Sequence, residues 1–403
     1  MKNLACFFIS LSKDFRNRDM FLFPYYMGRV KGYKVTFYFH GKEGDKPFEE
    51  KGVQFVPLFY RGGYDCFSIS SEWYYAYYLF RHAKEIDCLV RFHYSIPTIL
   101  LAFIYKLLNP KGIFCIKGDG LGLWNSLFRI EPQFPGQKRR NQDSLIVKMK
   151  NGLIRSMLNL GIHYSDLATV ETLKDYQYLS NQSIFKKYPQ KLVRMLNGID
   201  EEAITKCGIQ ELAFEQKENW IILVGYHGSW AKNTLMSLRS LANLDLKDWQ
   251  VFYIGPTTKE FENTIQDFYN SNPNLTETVH FVGAIYDQAK LWSYYNRAKV
   301  FVHTSLVESY GIVLAEAYRF GNYILSTDVG IASEFINRGY GCLLKQNDSD
   351  SLRAHLERIV GGELDLASLY DKREFIPISW EDEVKKLKVA DNKAYETINH
   401  YNQ

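Results

Sequence analysis

The sequence lacks the features that would place it in a membrane-spanning, disulfide-stapled or metal-binding class. Its longest apolar run, Pro97 to Leu108, is about a dozen residues, against the roughly 20 that a spanning helix needs. The N-terminus, MKNLACFFISLSKDF, has only a short apolar core and no small-residue cleavage site, so it is expected to be a first buried strand rather than a signal peptide. The six cysteines, Cys6, Cys66, Cys88, Cys115, Cys207 and Cys342, form no C-x-x-C pair, and three lie in apolar strand-like runs. Reduced, mostly buried thiols in a cytoplasmic protein are expected. No cluster has metal-ligand spacing apart from Asp348-Ser349-Asp350. That D-x-D precedes an apolar-periodic helix, so helix capping is the better explanation. A net charge of +4 is too small to indicate nucleic acid. Lys117-Gly118-Asp119-Gly120-Leu121-Gly122 is spaced G-x-G-x-G, and neither a good helix nor a ribose-binding acid follows, which argues against a dinucleotide site.

What is present is enough chain for two domains: 403 residues, 46% hydrophobic, interrupted by only 11 prolines. Strand-like runs over Leu4 to Ser10, Lys34 to Phe39, Val53 to Leu58, Cys88 to Arg91, Ile113 to Ile116 and Leu167 to Val170 alternate with helical patterns. The helices are Phe21 to Val30, despite Pro24, Thr98 to Leu108, and Leu145 to Leu160. A second series begins at the strand Trp220 to Val224. Helix Thr234 to Leu244, strand Gln250 to Ile254, helix Glu260 to Tyr269, strand Val279 to Val282 and helix Gln288 to Ala298 follow. Polar Asp200 to Asn219 reads as the linker, and Trp380 to Tyr401 as a long final helix. Alternation of this kind predicts parallel sheets and an α/β fold.

The densest chemistry lies between Phe301 and Leu344. The strand Val300 to His303 leads into a polar loop, Ser305 to Gly311. The helix Ile312 to Arg319 and the strand Tyr323 to Ser326 come next. Glu308 and Glu316 sit eight residues apart across that loop and helix. The free N–H groups near Ser309 to Ile312 suit a phosphate, and the carboxylates can accept from sugar hydroxyls. A molecule carrying both groups fits this chemistry.

The segment resembles the signature of family 4 glycosyltransferases of the GT-B fold, also called group 1. The resemblance is carried by Ser305, Glu308-Ser309-Tyr310-Gly311, Leu314-Ala315-Glu316-Ala317, Gly321 and the loop Gly330 to Glu334. It extends to Phe281-Val282-Gly283-Ala284, which resembles the family's base-reading loop, and to Asn197-Gly198-Ile199-Asp200 and Ser379-Trp380. It implies two Rossmann-like doubly wound domains facing across a cleft. The acceptor-side domain would comprise residues 1–200 plus a returning helix, 380–403, and the donor-binding domain residues 201–379. Glu308 would contact the donor sugar and Glu316 the ribose hydroxyls. Ser309 lies in the same loop, and the backbone at Tyr310, Gly311 and Ile312 would hold the diphosphate. Val282 and Gly283 would read the base. In the family, a V-G-R stretch and a following K-G or K-N supply cations to the leaving diphosphate. Here Gly225 is followed by Tyr226 in place of the Arg, while Lys232-Asn233 is retained. Lys232 is therefore expected to supply most of the field, aided by His227 or Tyr226.

On the acceptor side, Asp119 follows a strand and is placed either to orient or deprotonate the acceptor hydroxyl or simply to bond its own turn. His93 also follows a strand, where a lone His is more often structural. Asp14 sits where related enzymes carry a Gly-rich acceptor loop, which this chain lacks. Lys138-Arg139-Arg140, with Lys148, Lys150 and Arg155, suits anionic lipid. The favoured expectation is an ordinary helix burying Leu145, Met149, Leu153 and Met157 in its own domain.

Together these readings predict a retaining, metal-independent glycosyltransferase. Its donor would be a UDP- or GDP-sugar, acting as co-substrate with no cofactor. The acceptor would be a glycan or lipid-linked glycan in surface polysaccharide or glycolipid assembly. The enzyme would be cytoplasmic, with peripheral contact at the inner face of the membrane as an option. A GT-B epimerase or hydrolase and a non-catalytic nucleotide-sugar-binding protein are the alternatives.

Overall fold

A computed structural model describes residues 1–8, 15–42, 44–59, 69–118 and 145–388. The chain divides into two compact units, Met1–Leu196 with Trp380–Gln403, and Asn197–Ser379.

In the first unit, β1 (Lys2–Phe8), α1 (Asp19–Lys31), β2 (Tyr33–Gly41), β3 (Phe48–Glu50) and β4 (Val53–Phe59) are followed by α2 (Ile69–His82). β5 (Cys88–Phe92), α3 (Ile96–Leu108), β6 (Ile113–Lys117), α4 (Leu145–Tyr164), β7 (Leu167–Val170), α5 (Leu173–Ser180), α6 (Ser183–Lys187) and β8 (Leu192–Arg194) complete it up to residue 196. The strands form one sheet in the order β3-β4-β2-β1-β5-β6-β7-β8. Only β3 runs antiparallel, against β4. Strands buried on both faces read as continuous apolar runs, as Phe114, Cys115 and Ile116 do in β6. One core lies under α1, built on Leu4, Phe37 and Val90. The other lies under α2, α3 and α4, built on Leu89, Phe114 and Ala168.

The second unit contains α7 (Glu201–Lys206), β9 (Glu218–Val224), α8 (Thr234–Leu241), β10 (Gln250–Ile254), α9 (Lys259–Ser271), β11 (Val279–Gly283) and α10 (Gln288–Arg297). Then come β12 (Ala298–His303), α11 (Ile312–Arg319), β13 (Tyr323–Thr327), α12 (Ala332–Ile336), β14 (Gly341–Leu344), α13 (Ser349–Val360) and α14 (Leu366–Lys372). Its six strands are ordered β11-β10-β9-β12-β13-β14, and every pairing is parallel. α15 (Trp380–Lys385) returns to the first unit, where Trp380 and Val384 join the core under α1.

Three expectations are corrected here. Residues 200–219 are not a loose linker. Asp200 caps α7 by accepting from Ala203 N–H at 3.1 Å, and Ile204, Phe214 and Lys217 are buried. Average polarity conceals these anchors. The final helix, expected over 380–401, ends at Lys385, where Leu387 N–H turns back to Val384 O at 3.1 Å; residues 389–403 lie outside the described residues. Leu145, Met149 and Leu153 do not pack into their own domain but stand exposed. The buried residues of α4 are Leu158, Gly161 and Ile162, near its far end. The sequence reading also missed β3, α2, α5, α6 and β8 of the first unit and α7, α12, β14 and α14 of the second.

Candidate active site

In the second unit the strand order reverses between β9 and β12: the chain runs from β9 outward to β10 and β11, then crosses to the other side. The carboxyl ends of those two strands lie side by side at this switch point, which is where open parallel sheets bind ligands. Lys232 lies on the loop after β9, Glu308 on the loop after β12.

Lys232 ends a single 3-10 turn, Trp230–Lys232, and its Nζ forms an ion pair with Glu308 Oε1. The two loops are sewn together by their backbones. Leu306 N–H donates to Ala231 O at 2.8 Å, and Thr304 Oγ1 donates to the carbonyls of Lys232 and Asn233 at 3.1 Å each. Two glycines make room. A Cβ at Gly225 would lie 3.3 Å from Lys232 Cδ and Cε, so its absence lets the lysine stem cross the strand end. Gly330 has φ +52°, and a Cβ there would press to 3.2 Å from Glu308 Cβ and 2.7 Å from the Tyr310 carbonyl carbon.

Glu308 has two further neighbours. Ser305 Oγ donates to Oε1 at 2.9 Å, and His303 Nε2 lies 3.2 Å from the same oxygen. Burial pushes the Glu308 carboxyl up, but His303 and Lys232 more than offset this and hold its pKa at about 2. His303 itself is buried, and burial lowers its pKa against the pull of Glu308. Its imidazole is therefore neutral at neutral pH, and Lys232 is the cation beside Glu308.

Gly311, in the left-handed region at φ +86°, starts α11, and Leu314 N–H returns to its carbonyl at 2.9 Å. The N–H groups of the first turn, at Ile312 and Val313, precede the helix's own bonds and carry its positive end. Ser309 is exposed just before it. Tyr310 is buried, its hydroxyl donating to Asn197 O at 2.9 Å and its carbonyl accepting from Ile331 N–H at 2.9 Å. Glu316 is buried one turn further along, where Trp292 Nε1 and Gln288 Nε2 each donate to its Oε1 at 3.1 Å. Burial raises its pKa despite those two donors.

Val282 and Gly283 form the carboxyl end of the edge strand β11. Gly283 has φ +78°, and its carbonyl accepts from Gly255 N–H at 2.8 Å. Tyr226, where the resemblance calls for Arg, is 49% exposed. His227 does not supplement Lys232, contrary to expectation. It is buried with Nε2 3.2 Å from Ile254 O, and burial pulls its pKa down to about 4, so it is uncharged. Asp348 caps α13, accepting from Ser351 N–H at 2.9 Å, as expected for the D-x-D. Among the described residues no group of three or more His, Cys, Asp or Glu could hold a metal ion.

In the first unit, His93 follows β5 with φ +66° and donates its N–H to Lys117 O at 2.9 Å. Asp14 and Asp119 lie outside the described residues. Two buried ion pairs stand near the carboxyl ends of these strands: Lys117 with Glu171 at 2.7 Å and Arg91 with Glu72 at 2.7 Å.

The sequence reading singled out Glu308, Glu316 and Lys232 but missed His303, Gln288 and Trp292. His303 had one legible signal, a polar residue at the carboxyl end of an apolar strand. Gln288 and Trp292 had none, because only the packing of α10 beside α11 brings them to Glu316.

Residues 209–373 match the family model for glycosyl transferases group 1. No curated protein matches the sequence. Solved structures match over nearly the whole chain. Sucrose-phosphate synthase from Thermosynechococcus elongatus is 14% identical, with a TM-score of 0.62 over 96% of this chain and 94% of its own. The apo lipopolysaccharide outer core galactosyltransferase WaaB is 16% identical, with a TM-score of 0.61 over 95% of this chain and 98% of its own. HepE from Anabaena in complex with UDP is 12% identical, with a TM-score of 0.59 over 96% and 95%. Two parallel-sheet α/β units with this likeness are the GT-B fold, and the enzyme that carries them is a glycosyltransferase with a group 1 domain at residues 209–373.

Proposed function

We propose that this glycosyltransferase belongs to family 4 and moves a sugar, with retention of anomeric configuration and without a metal ion, from a nucleotide-diphosphate sugar to a hydroxyl acceptor. The observation that carries the reading is the ion pair between Lys232 and Glu308 at the switch point of the second sheet, beside the N-terminus of α11. Negative charge grows on the β-phosphate as its bond to the sugar breaks. Lys232 and the N–H groups at Tyr310, Gly311 and Ile312 would stabilise it, so the reading needs no metal. Glu308, kept ionised, would accept from the donor sugar's hydroxyls and fix its orientation. Glu316 would accept from the ribose, and Val282 and Gly283 would frame the base.

Retaining glycosidases use a carboxylate nucleophile close to the sugar. Here Glu308 is committed to Lys232, and the reading is front-face displacement. The acceptor oxygen bonds to the anomeric carbon as the carbon–phosphate-oxygen bond breaks, and the acceptor proton passes to the departing phosphate oxygen. Asp119, with His93 and Asp14 as lesser candidates, would orient the acceptor. HepE structures hold UDP, and UDP with glucose, and on that likeness a UDP-sugar is the first donor to test, then a GDP-sugar. WaaB's name places it in lipopolysaccharide assembly, and on that likeness a glycan or lipid-linked glycan is the acceptor class to test.

The test joins donor binding to turnover. In a thermal-shift panel of UDP-, GDP- and ADP-sugars, the true donor at 100 times its Kd adds about 2.7 kcal/mol of stability. Glu308→Gln is expected to cut transfer by about 100-fold or more while the variant still folds. Undiminished transfer by that variant would sink the assignment. Donor breakdown without any acceptor would indicate a hydrolase or epimerase instead, and tight donor binding with no turnover a binding protein.

A further inference from the structure

Three of the helices that cover one face of the first unit's sheet carry large apolar residues on their outer surfaces. α3 packs against both α2 and α4, and their inner residues, Leu79, Ala102 and Leu158 among them, fill one core against the strands. The opposite faces therefore point the same way, outward. On α2 that face presents Trp73, Tyr77 and Phe80 at helical spacing, Trp73 being 65% exposed. On α3 it presents Leu100, Phe103 and Leu107. On α4 it presents Ile146, Met149 and Leu153, each more than half exposed. Phe103 meets Tyr164 edge to face at 5.2 Å, which ties the α3 and α4 surfaces together. Scattered exposed apolar residues need no explanation, but a contiguous patch across three helices marks a binding surface.

Charge identifies what the surface binds. α3 and α4 contain no Asp or Glu, and the one acid of α2, Glu72, is buried against Arg91. The exposed charges on these helices are Arg81, Lys148, Lys150 and Arg155, all positive. A two-fold pairing of this face with a second copy would set Lys148 and Lys150 against basic side chains of the other copy, and none of the three helices offers an exposed acid. An anionic bilayer answers these cations: Trp and Tyr settle at the headgroup level, Phe, Leu and Met enter the acyl boundary, and Lys and Arg stems reach back to the phosphates. We infer that the outer face of α2, α3 and α4 docks the enzyme on an anionic lipid bilayer. The inference goes beyond the catalytic reading and does not depend on it. If both hold, a lipid-linked acceptor would be met at that surface.

Vesicle flotation of the full chain tests it, with phosphatidylcholine vesicles and with vesicles that also contain phosphatidylglycerol. The chain should float with the anionic vesicles and do so about ten-fold less at high salt. Lys148→Glu with Lys150→Glu should remove about ten-fold or more of the partition. Phe80→Ser with Leu107→Ser and Leu153→Ser should abolish flotation while keeping the wild-type melting temperature and nucleotide-sugar thermal shift. Flotation of that triple variant at the wild-type level would overturn the inference, as would no flotation with anionic vesicles. So would light scattering that shows a dimer, lost in the triple variant, with no vesicle binding. Transfer to a water-soluble acceptor reads the catalytic proposal separately, so failure of one leaves the other standing.

Discussion

His303 Nε2 stands 3.2 Å from Glu308 Oε1, the oxygen that also pairs with Lys232. At that distance the buried imidazole helps keep the Glu308 carboxyl ionised. His303→Leu should therefore let the Glu308 pKa rise from about 2 toward its ordinary 4.5. The acid limb of the pH–rate profile would move up, and kcat at neutral pH would fall about ten-fold through loss of positioning. His303→Gln, which retains a donor, should recover part of both. A profile unmoved in His303→Leu would reduce the residue to packing. The same depressed pKa makes Glu308 stabilising above pH 4.5, with that contribution fading as pH falls toward 2.

Tyr226 stands half exposed where the resemblance expects an arginine. A substitution at so open a position should change stability by only about 0.5 kcal/mol. Tyr226→Arg would add a second cation near the leaving diphosphate and is expected to raise kcat/KM for the donor about ten-fold. Initial rates across a donor series measure it. A fall in kcat/KM would mean that the tyrosine has a contact of its own with the donor.

Glu316 takes hydrogen bonds from Trp292 and Gln288. Glu316→Ala would strip both donors of their acceptor and remove the proposed ribose contact. Calorimetric titration with the donor nucleotide should show affinity lost by about 1–3 kcal/mol. Glu316→Gln keeps an acceptor for Trp292 and should lose less. Equal losses in the two variants would contradict the proposed role of the carboxylate.

Lys217 is buried, and its Nζ donates to Asn296 O and Phe320 O at 2.7 Å each. Burial lowers its pKa from 10.5 to about 7. Between those values the unfolded chain holds a proton that the folded chain does not, so this residue's contribution to stability rises with pH from 7 to 10.5. Lys217→Met leaves two buried carbonyls without that partner and should cost about 2–4 kcal/mol. Urea melts at pH 7 and pH 9 check both effects: the gap between wild type and variant should widen at the higher pH.

Much of the fold was legible because parallel strands buried on both faces are short apolar runs, and those runs mark themselves. Ile312–Arg319 has the expected bounds, and Leu167–Val170 and Gln250–Ile254 do as well. The misses have physical causes. The edge strand Phe48–Glu50 is three residues long and carries two acids. α2 is crowded with tyrosines, which suit strand and helix alike, and went unassigned. Periodicity on α4 showed which residues share a face, but not that three of the four, Leu145, Met149 and Leu153, stand exposed.

The sequence by itself determined the alternation of strand and helix, the helix terminus behind Glu308, and the candidate residues Glu308, Glu316 and Lys232. These follow from local chemistry: burial periodicity, glycine at the turns, and residue types that suit phosphate and sugar. Tertiary structure decided which of them meet. Lys232 and Glu308 are 76 residues apart, and they pair because β9 and β12 are neighbours at the point where the sheet reverses. It also decided that His227 is buried and uncharged, that His303 joins Glu308, and that three helices expose a basic, apolar face. Pairing, burial and exposure depend on what lies opposite a side chain in space, and its neighbours along the chain do not specify that.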